Sequence, residues 1–224
     1  MFYSFLINLI QLQIVREMKT ASYEDLLAGS RSFKARVQRD ERPRFKQLAK
    51  GQRPKVTFLT SSDSRIDPCA LTNARAGDLF VIRNAGNIVP EAYGHGSELA
   101  SLEYAVEALK TEHIVVCGHS DCEAMKSLLS PESCAHLPHV STWVRQALGA
   151  LVALEGAAEN EKDRLNRVIA ANVLLQLENL RKLDFVSEAE DSGRLQLHGW
   201  FYDIETGDVR VLTPANGESL LYAA

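Results

Sequence analysis

Two short apolar runs, VTFLT (56–60) and HIVVCG (113–118), limit what this chain can become. Both are rich in β-branched residues, and the first follows Pro54. Neither keeps the apolar–polar alternation of a strand with one wet face, so both predict strands covered on both sides. A third strand is expected over Leu79 to Ile82, entered from a turn glycine and left through a polar glycine loop. Helical patterns fall between them. Pro68 suits the first position of a short helix running to about Asn73. SELASLEYAVEALK starts at Ser97, a plausible cap, and CEAMKSLLS is stopped by Pro131. Residues 22–50 predict one or two helices, and 139–155 and 161–183 longer ones. LQLHGWFYDI and DVRVLT, joined by ETGD, predict a hairpin. Strand and helix in alternation argue for an α/β fold. Its mainly parallel β-sheet core is flanked by helices, with an antiparallel edge strand or hairpin. No Gly-, Ser- or Pro-rich linker divides residues 21–224, which are expected to form one domain after an apolar helical extension over 1–20.

The 224 residues carry a net charge of −4, which argues against nucleic acid as a partner. The stretch from Arg31 to Lys55 is locally basic, with ten Lys or Arg against two acidic residues. A solvated helical face is the plain explanation, and a docking surface for an acidic partner the alternative. Four cysteines at Cys69, Cys117, Cys122 and Cys134 make no disulfide framework, so a reducing, cytoplasmic setting is expected. No apolar run approaches the roughly 20 residues of a membrane span. The first seventeen residues lack a basic segment and a small-residue cleavage site, so no secretory signal is expected. They are either an upstream start before Met18 or a helix that packs on another subunit.

In open α/β sheets, ligands bind beyond the carboxyl ends of the strands. Two such ends carry chemistry here: SSDSR after the first strand and GHSDC in the second. His119 and Cys122 form an H-x-x-C pair where a strand turns into a helix. Imidazole nitrogen and thiolate sulfur are preferred zinc ligands. The helix end should lower the pKa of Cys122. Asp63 and Arg65 can form a charge-assisted pair; at a metal site the carboxylate orients a bound water while the arginine holds the carboxylate. A structural salt bridge and ordinary loop residues are the plain alternatives.

SSDSRIDP, GDLFVIRNAGN, SLEYAV, VCGHSDCEAM and LHGWFYDIETG, in that order, resemble the segments of a β-class carbonic anhydrase of the bacterial and cyanobacterial type. The resemblance spans roughly residues 20–213. It implies a four-stranded parallel core with an added edge strand, and a homodimer, often paired into tetramers, with the active site near the subunit interface. The implied reaction is reversible hydration of carbon dioxide to bicarbonate on Zn2+. By the same resemblance His119 and Cys122 are zinc ligands, Asp63 and Arg65 the catalytic dyad, and backbone near Gly86 and Gly118 lines a small pocket. The family's first motif is Cys-x-Asp-Ser-Arg, and here Ser61 stands at the cysteine's place.

A serine hydroxyl is neutral at pH 7 and a poor zinc ligand. Structural zinc sites are worth about 10–16 kcal/mol over four ligands, so losing one costs roughly 3 kcal/mol, about a hundredfold in affinity. Zinc is therefore either absent, held through Asp63 with His119 and Cys122, or held with another residue such as Cys69. The expectation is a carbonic anhydrase of impaired activity. The alternative is a non-catalytic relative that binds bicarbonate or pairs with an active subunit. Cys134, His136 and His139 are spaced for a further metal site, with an ordinary loop as the plain explanation. His95 in YGHGSE is a candidate proton shuttle, Cys117 a packed core thiol, and His198 and Trp200 packing residues of the hairpin.

Overall fold

A computed structural model describes residues 20–90, 96–154 and 160–213. His95 and the apolar segment before residue 20 lie outside them. The chain forms two compact units, Met1–Gly51 and Gln52–Ala224. The first contains helix α1 (Tyr23–Arg36), a wider π turn (Val37–Glu41) and α2 (Arg42–Leu48). Ser22 caps α1 reciprocally with Asp25, satisfying two backbone donors at once. Phe33 meets Phe45 edge to face.

The second unit is built on five strands: β1 (Val56–Ser61), β2 (Leu79–Asn84), β3 (His113–His119), β4 (Gln196–Tyr202) and β5 (Val209–Leu212). Their spatial order is β2-β1-β3-β4-β5. The first four are parallel and β5 is antiparallel to β4, as the sequence pattern implied. From β1 the chain moves to β2 on one side and next to β3 on the other. The carboxyl ends of β1 and β3 therefore flank the switch point of the sheet, where a crevice opens.

Helices α3 (Pro68–Thr72), α4 (Ser97–Glu103, prolonged by a π turn Tyr104–Ala108), α5 (Glu123–Leu129), α6 (Pro138–Val144), α7 (Glu161–Arg181) and α8 (Asp184–Asp191) complete the unit. Two expectations need correcting. Ser97 is the first residue of α4 and Gly96 its cap, without a side-chain bond. The long helix expected over 139–155 is α6 followed by a 3-10 segment, Arg145–Leu154. Gly149 lies within that segment, where a Cβ would come 3.2 Å from the side chain of Leu175; a poor helix former occupies the place of closest approach.

One face of the sheet, with Ile114 and Val116, is covered by Val168, Ile169, Val173 and Leu177 of α7. Gly118 makes this close approach possible, because a Cβ there would lie 2.8 Å from Val173 and 3.0 Å from Ile169. The other face holds Phe58, Ile66, Val115 and Cys117, with Trp200 and Tyr202 packed against them. Cys117 is a core thiol, and burial pushes its pKa up to about 12. Trp200 packs edge to face on Phe58, and His198 Nε2 lies 3.2 Å from His113 Nδ1.

Candidate active site

β1 and β3 set Asp63 and His119 side by side at their carboxyl ends, His119 Nε2 lying 3.9 Å from Asp63 Oδ2. The loop between them and α3 is tightly made. Ser61 is buried, and its Oγ accepts the backbone N–H of Asp63 at 3.2 Å. The Asp63 carboxylate takes three bonds from Arg65: Nε at 2.9 Å, Nη2 at 2.6 Å and the backbone N–H at 2.9 Å. Those bonds hold the Asp63 carboxyl well below the usual carboxylate range, against the opposing effect of its partial burial.

Two residues that the sequence reading passed over complete this loop. Arg83, at the end of β2, donates to the carbonyls of Ser61 (2.9 Å), Asp63 (2.7 Å) and Ile66 (2.8 Å). Asp121, between His119 and Cys122, accepts Arg65 Nη1 at 2.7 Å through its side chain and Nη2 at 3.1 Å through its carbonyl. Its backbone has φ +58°, a left-handed conformation that costs a residue with a Cβ about 1 kcal/mol or more. Arg65 is thus clamped between two aspartates, and its pKa is raised first by Asp63 and then by Asp121. A charged residue in the apolar strand LFVIRN was the one signal that pointed to Arg83.

His119 is fully buried. Its Nδ1 lies 2.9 Å from the Ser120 carbonyl, which can only accept, so the proton sits on Nδ1. Nε2 is left as a bare lone pair, buried and without a hydrogen-bond partner. Burial also lowers the pKa of the imidazole, keeping it neutral. A neutral imidazole fixed by a backbone acceptor, with its other nitrogen unsatisfied, is the state required of a metal ligand. Cys122 caps α5 and is almost wholly buried. Its thiol pKa is raised, opposite to expectation. Burial outweighs the helix-end amides of Met125 and Ala124, and the charge of Asp63 adds to the effect. A cation would be needed to hold the thiolate.

These residues fit a soft cation as a partial set. His119 and Cys122 offer nitrogen and sulfur, Asp63 is committed to Arg65, and Ser61 offers a hydroxyl. Among the described residues no three His, Cys, Asp or Glu side chains form a cage for a metal. That holds for Cys69, on the first turn of α3, and for the spaced Cys134, His136 and His139. Cys134 is buried toward the Pro131 carbonyl while both histidines are exposed.

The loop after β2 is held by α7. Asn172 Nδ2 donates to the Gly86 carbonyl at 2.9 Å, and Gln176 Oε1 accepts the Val89 N–H at 2.8 Å. Gly86 has φ +81°, and a Cβ there would meet Ala124 at 3.0 Å. A residue with a side chain fits neither the backbone nor the space.

Residues 56–209 match the family model described as carbonic anhydrase. The chain is similar to a carbonic anhydrase of Pseudomonas aeruginosa, 48% identical over 189 residues, covering 81% of this chain and 85% of that one. It is also 44% identical over 188 residues to a carbonic anhydrase of Synechococcus elongatus, covering 82% and 69%. Among solved structures, the β-carbonic anhydrase CcaA superposes with a TM-score of 0.82 at 39% identity, covering 87% of this chain and 97% of that one. A tetrameric β-carbonic anhydrase of Sordaria macrospora gives 0.78 at 30% identity, covering 85% and 96%.

Proposed function

The chain belongs to the β-carbonic anhydrase family, and from that premise we propose that it catalyses the reversible hydration of carbon dioxide to bicarbonate, with a zinc site weakened at Ser61. The observation that carries this reading is the buried, unpartnered Nε2 of His119 beside a carboxylate clamped by Arg65. The relatives compared above are named carbonic anhydrases, which favours the enzyme over a non-catalytic binding partner.

His119 and Cys122 would hold zinc, with Ser61 at the place of the family's third protein ligand and Asp63 held back by Arg65. Zinc, when bound, supplies Lewis acidity that lets water lose a proton near neutral pH. The remaining work falls to the chain. Asp63 stays ionised at any physiological pH because Arg65 stabilises its charge. Its Oδ2, facing His119, accepts a hydrogen bond from the attacking oxygen and so aims that oxygen's lone pair. Arg65 and Asp121 keep the carboxylate from collapsing onto the cation as a ligand. Ser61 preserves the loop, because its Oγ meets the Asp63 N–H, but contributes no negative charge.

The enzyme works as a homodimer or a pair of dimers in the cytoplasm. The tetrameric Sordaria enzyme supports the assembly. None of the helices among the described residues is long and apolar enough to cross a membrane.

The test is Ser61→Cys. Purified wild-type protein should hold zinc well below one equivalent. The variant should bind it about a hundredfold more tightly, in line with one regained ligand, and hydrate carbon dioxide faster. Equal zinc affinity in both proteins would mean that position 61 is not part of the metal shell.

A further inference from the structure

At the end of the sheet away from the catalytic loop, two histidines face each other across neighbouring strands. His113 opens β3, His198 lies in β4, and His198 Nε2 is 3.2 Å from His113 Nδ1. The parallel register sets His113 beside Gln196 and Val115 beside His198. Side chains two apart along a strand share a face, so His113, Gln196 and His198 stand on the same side of the sheet. Both histidines are half-buried, which holds the rings in place and leaves them open to a small solute. His119 lies at the other end of β3, roughly 20 Å away at the rise of a strand, so the hydration reaction does not use this pair.

The plain reading is a hydrogen bond in which one ring donates to the other. That bond needs one particular tautomer, and a neutral imidazole has two. With the proton on the far nitrogen, two lone pairs converge across 3.2 Å. This is the separation of two donors on one cation. With metal–nitrogen bonds of about 2.0–2.1 Å it sets an N–metal–N angle of about 100°, between the octahedral and tetrahedral values. The rings are inclined by 51° with centroids 5.2 Å apart, so they are not stacked face to face. The frame is firm as well. The His113 N–H donates to the Lys55 carbonyl at 3.1 Å, and the Gln196 N–H to the Glu112 carbonyl at 3.0 Å. Donors on paired strands need little reordering when an ion arrives. The neighbouring carboxylate, Glu112, is paired with Lys55 at 3.0 Å. What the pair offers is neutral nitrogen, which suits nickel, copper and zinc; magnesium and calcium call for oxygen donors.

We propose that His113 Nδ1 and His198 Nε2 chelate a divalent transition ion of the nickel, copper and zinc group, at a site separate from the catalytic centre. Gln196, exposed beside His113, and water complete its shell. The bound ion ties β3 to β4 and stabilises the folded chain as its concentration rises.

Calorimetric titration of the untagged, zinc-stripped full-length protein with NiCl2 tests this. The wild type should bind Ni2+ saturably, and its thermal unfolding should move to higher temperature as Ni2+ is added. His113→Gln and His198→Gln should each bind Ni2+ at this site roughly tenfold or more weakly, the loss of one ligand of the chelate, and should lose the thermal shift. Cys122→Ser, which breaks the catalytic pair, should keep the isotherm, so failure of the zinc reading does not touch this one. A measurement without variants covers a substitution that unfolds the chain. Paramagnetic Ni2+ added to the wild type should broaden the ring resonances of His113 and His198 before those of His136 and His139. The proposal is overturned if Ni2+ shows no saturable binding, if either histidine variant binds as the wild type does, or if Cys122→Ser abolishes the isotherm. Broadening that begins at His136 or His139 overturns it as well, since the ion would then sit in their exposed segment.

Discussion

Arg83 is expected to be the main stay of the catalytic loop, and the expectation can be given a size. Its guanidinium donates to three main-chain carbonyls within six residues of one another, those of Ser61, Asp63 and Ile66. Hydrogen bonds from a charged donor are worth about 1.5–3 kcal/mol when buried, and Arg83 is exposed, so roughly 1 kcal/mol each is appropriate. Arg83→Met keeps most of the aliphatic stem and removes all three, a loss of about 3 kcal/mol. At about 2–4 °C per kcal/mol for a domain of this size, Tm should fall by roughly 6–12 °C. Arg83→Lys keeps the charge, but one ammonium cannot serve three carbonyls, so it should recover about one third of the loss. Differential scanning calorimetry of the three proteins at equal concentration checks this. Full recovery by lysine would show that charge, not the planar fork, holds the loop. A Tm unchanged in Arg83→Met would refute the assignment of any structural role to these bonds.

Gly118→Ala should lower stability by about 1–3 kcal/mol, since the new methyl meets Val173 at 2.8 Å and Ile169 at 3.0 Å where α7 lies against the sheet; urea unfolding measures it. Burial, and next the neighbouring His113, lower the pKa of His198 below the ordinary histidine value of 6.5. The unfolded chain therefore takes up that proton first, so the stability is fully present above about pH 6.5 and is lost as the pH falls through it. Comparing urea midpoints at pH 8 and pH 5.5 should show a drop for the wild type and a smaller one for His198→Gln.

Periodicity carried far in this chain because the sheet is buried on both faces. Runs such as HIVVCG have no other use, and the parallel order followed from the helices between them. It carried less far where packing decides. β2 extends to Asn84 because Asn84 bonds both the N–H and the carbonyl of Ile88, closing the loop that a polar glycine stretch only suggested. Helix α8 was passed over because its acidic sequence, DFVSEAED, buries only Val186 and Ala189. At the candidate site, Asp63 with Arg65 and His119 with Cys122 were singled out from chemistry and spacing, and Ser61 only through the family resemblance. Arg83 and Asp121 were not, because their partners are backbone carbonyls and a residue 56 positions away. The pKa of Cys122 was misjudged for a related reason. A helix end is visible in sequence, but the depth at which it is buried is not.

The same geometry shows how little of the loop depends on the side chain at position 61. The position of Asp63 is fixed by Arg65, that of Arg65 by Asp121, and the backbone beneath them by Arg83. None of these bonds passes through the side chain of residue 61 except one, the Asp63 N–H to Ser61 Oγ at 3.2 Å, which a hydroxyl makes at least as well as sulfur. His119 likewise keeps its tautomer through the Ser120 carbonyl rather than through a cation. The orientation of the loop is thus set by Arg65, Asp121 and Arg83, and under the proposed function a change at position 61 would act on metal affinity alone. The wild type and its Ser61→Cys variant should differ in metal binding and rate while sharing one loop structure. A variant whose loop rearranged on metal binding would break that separation.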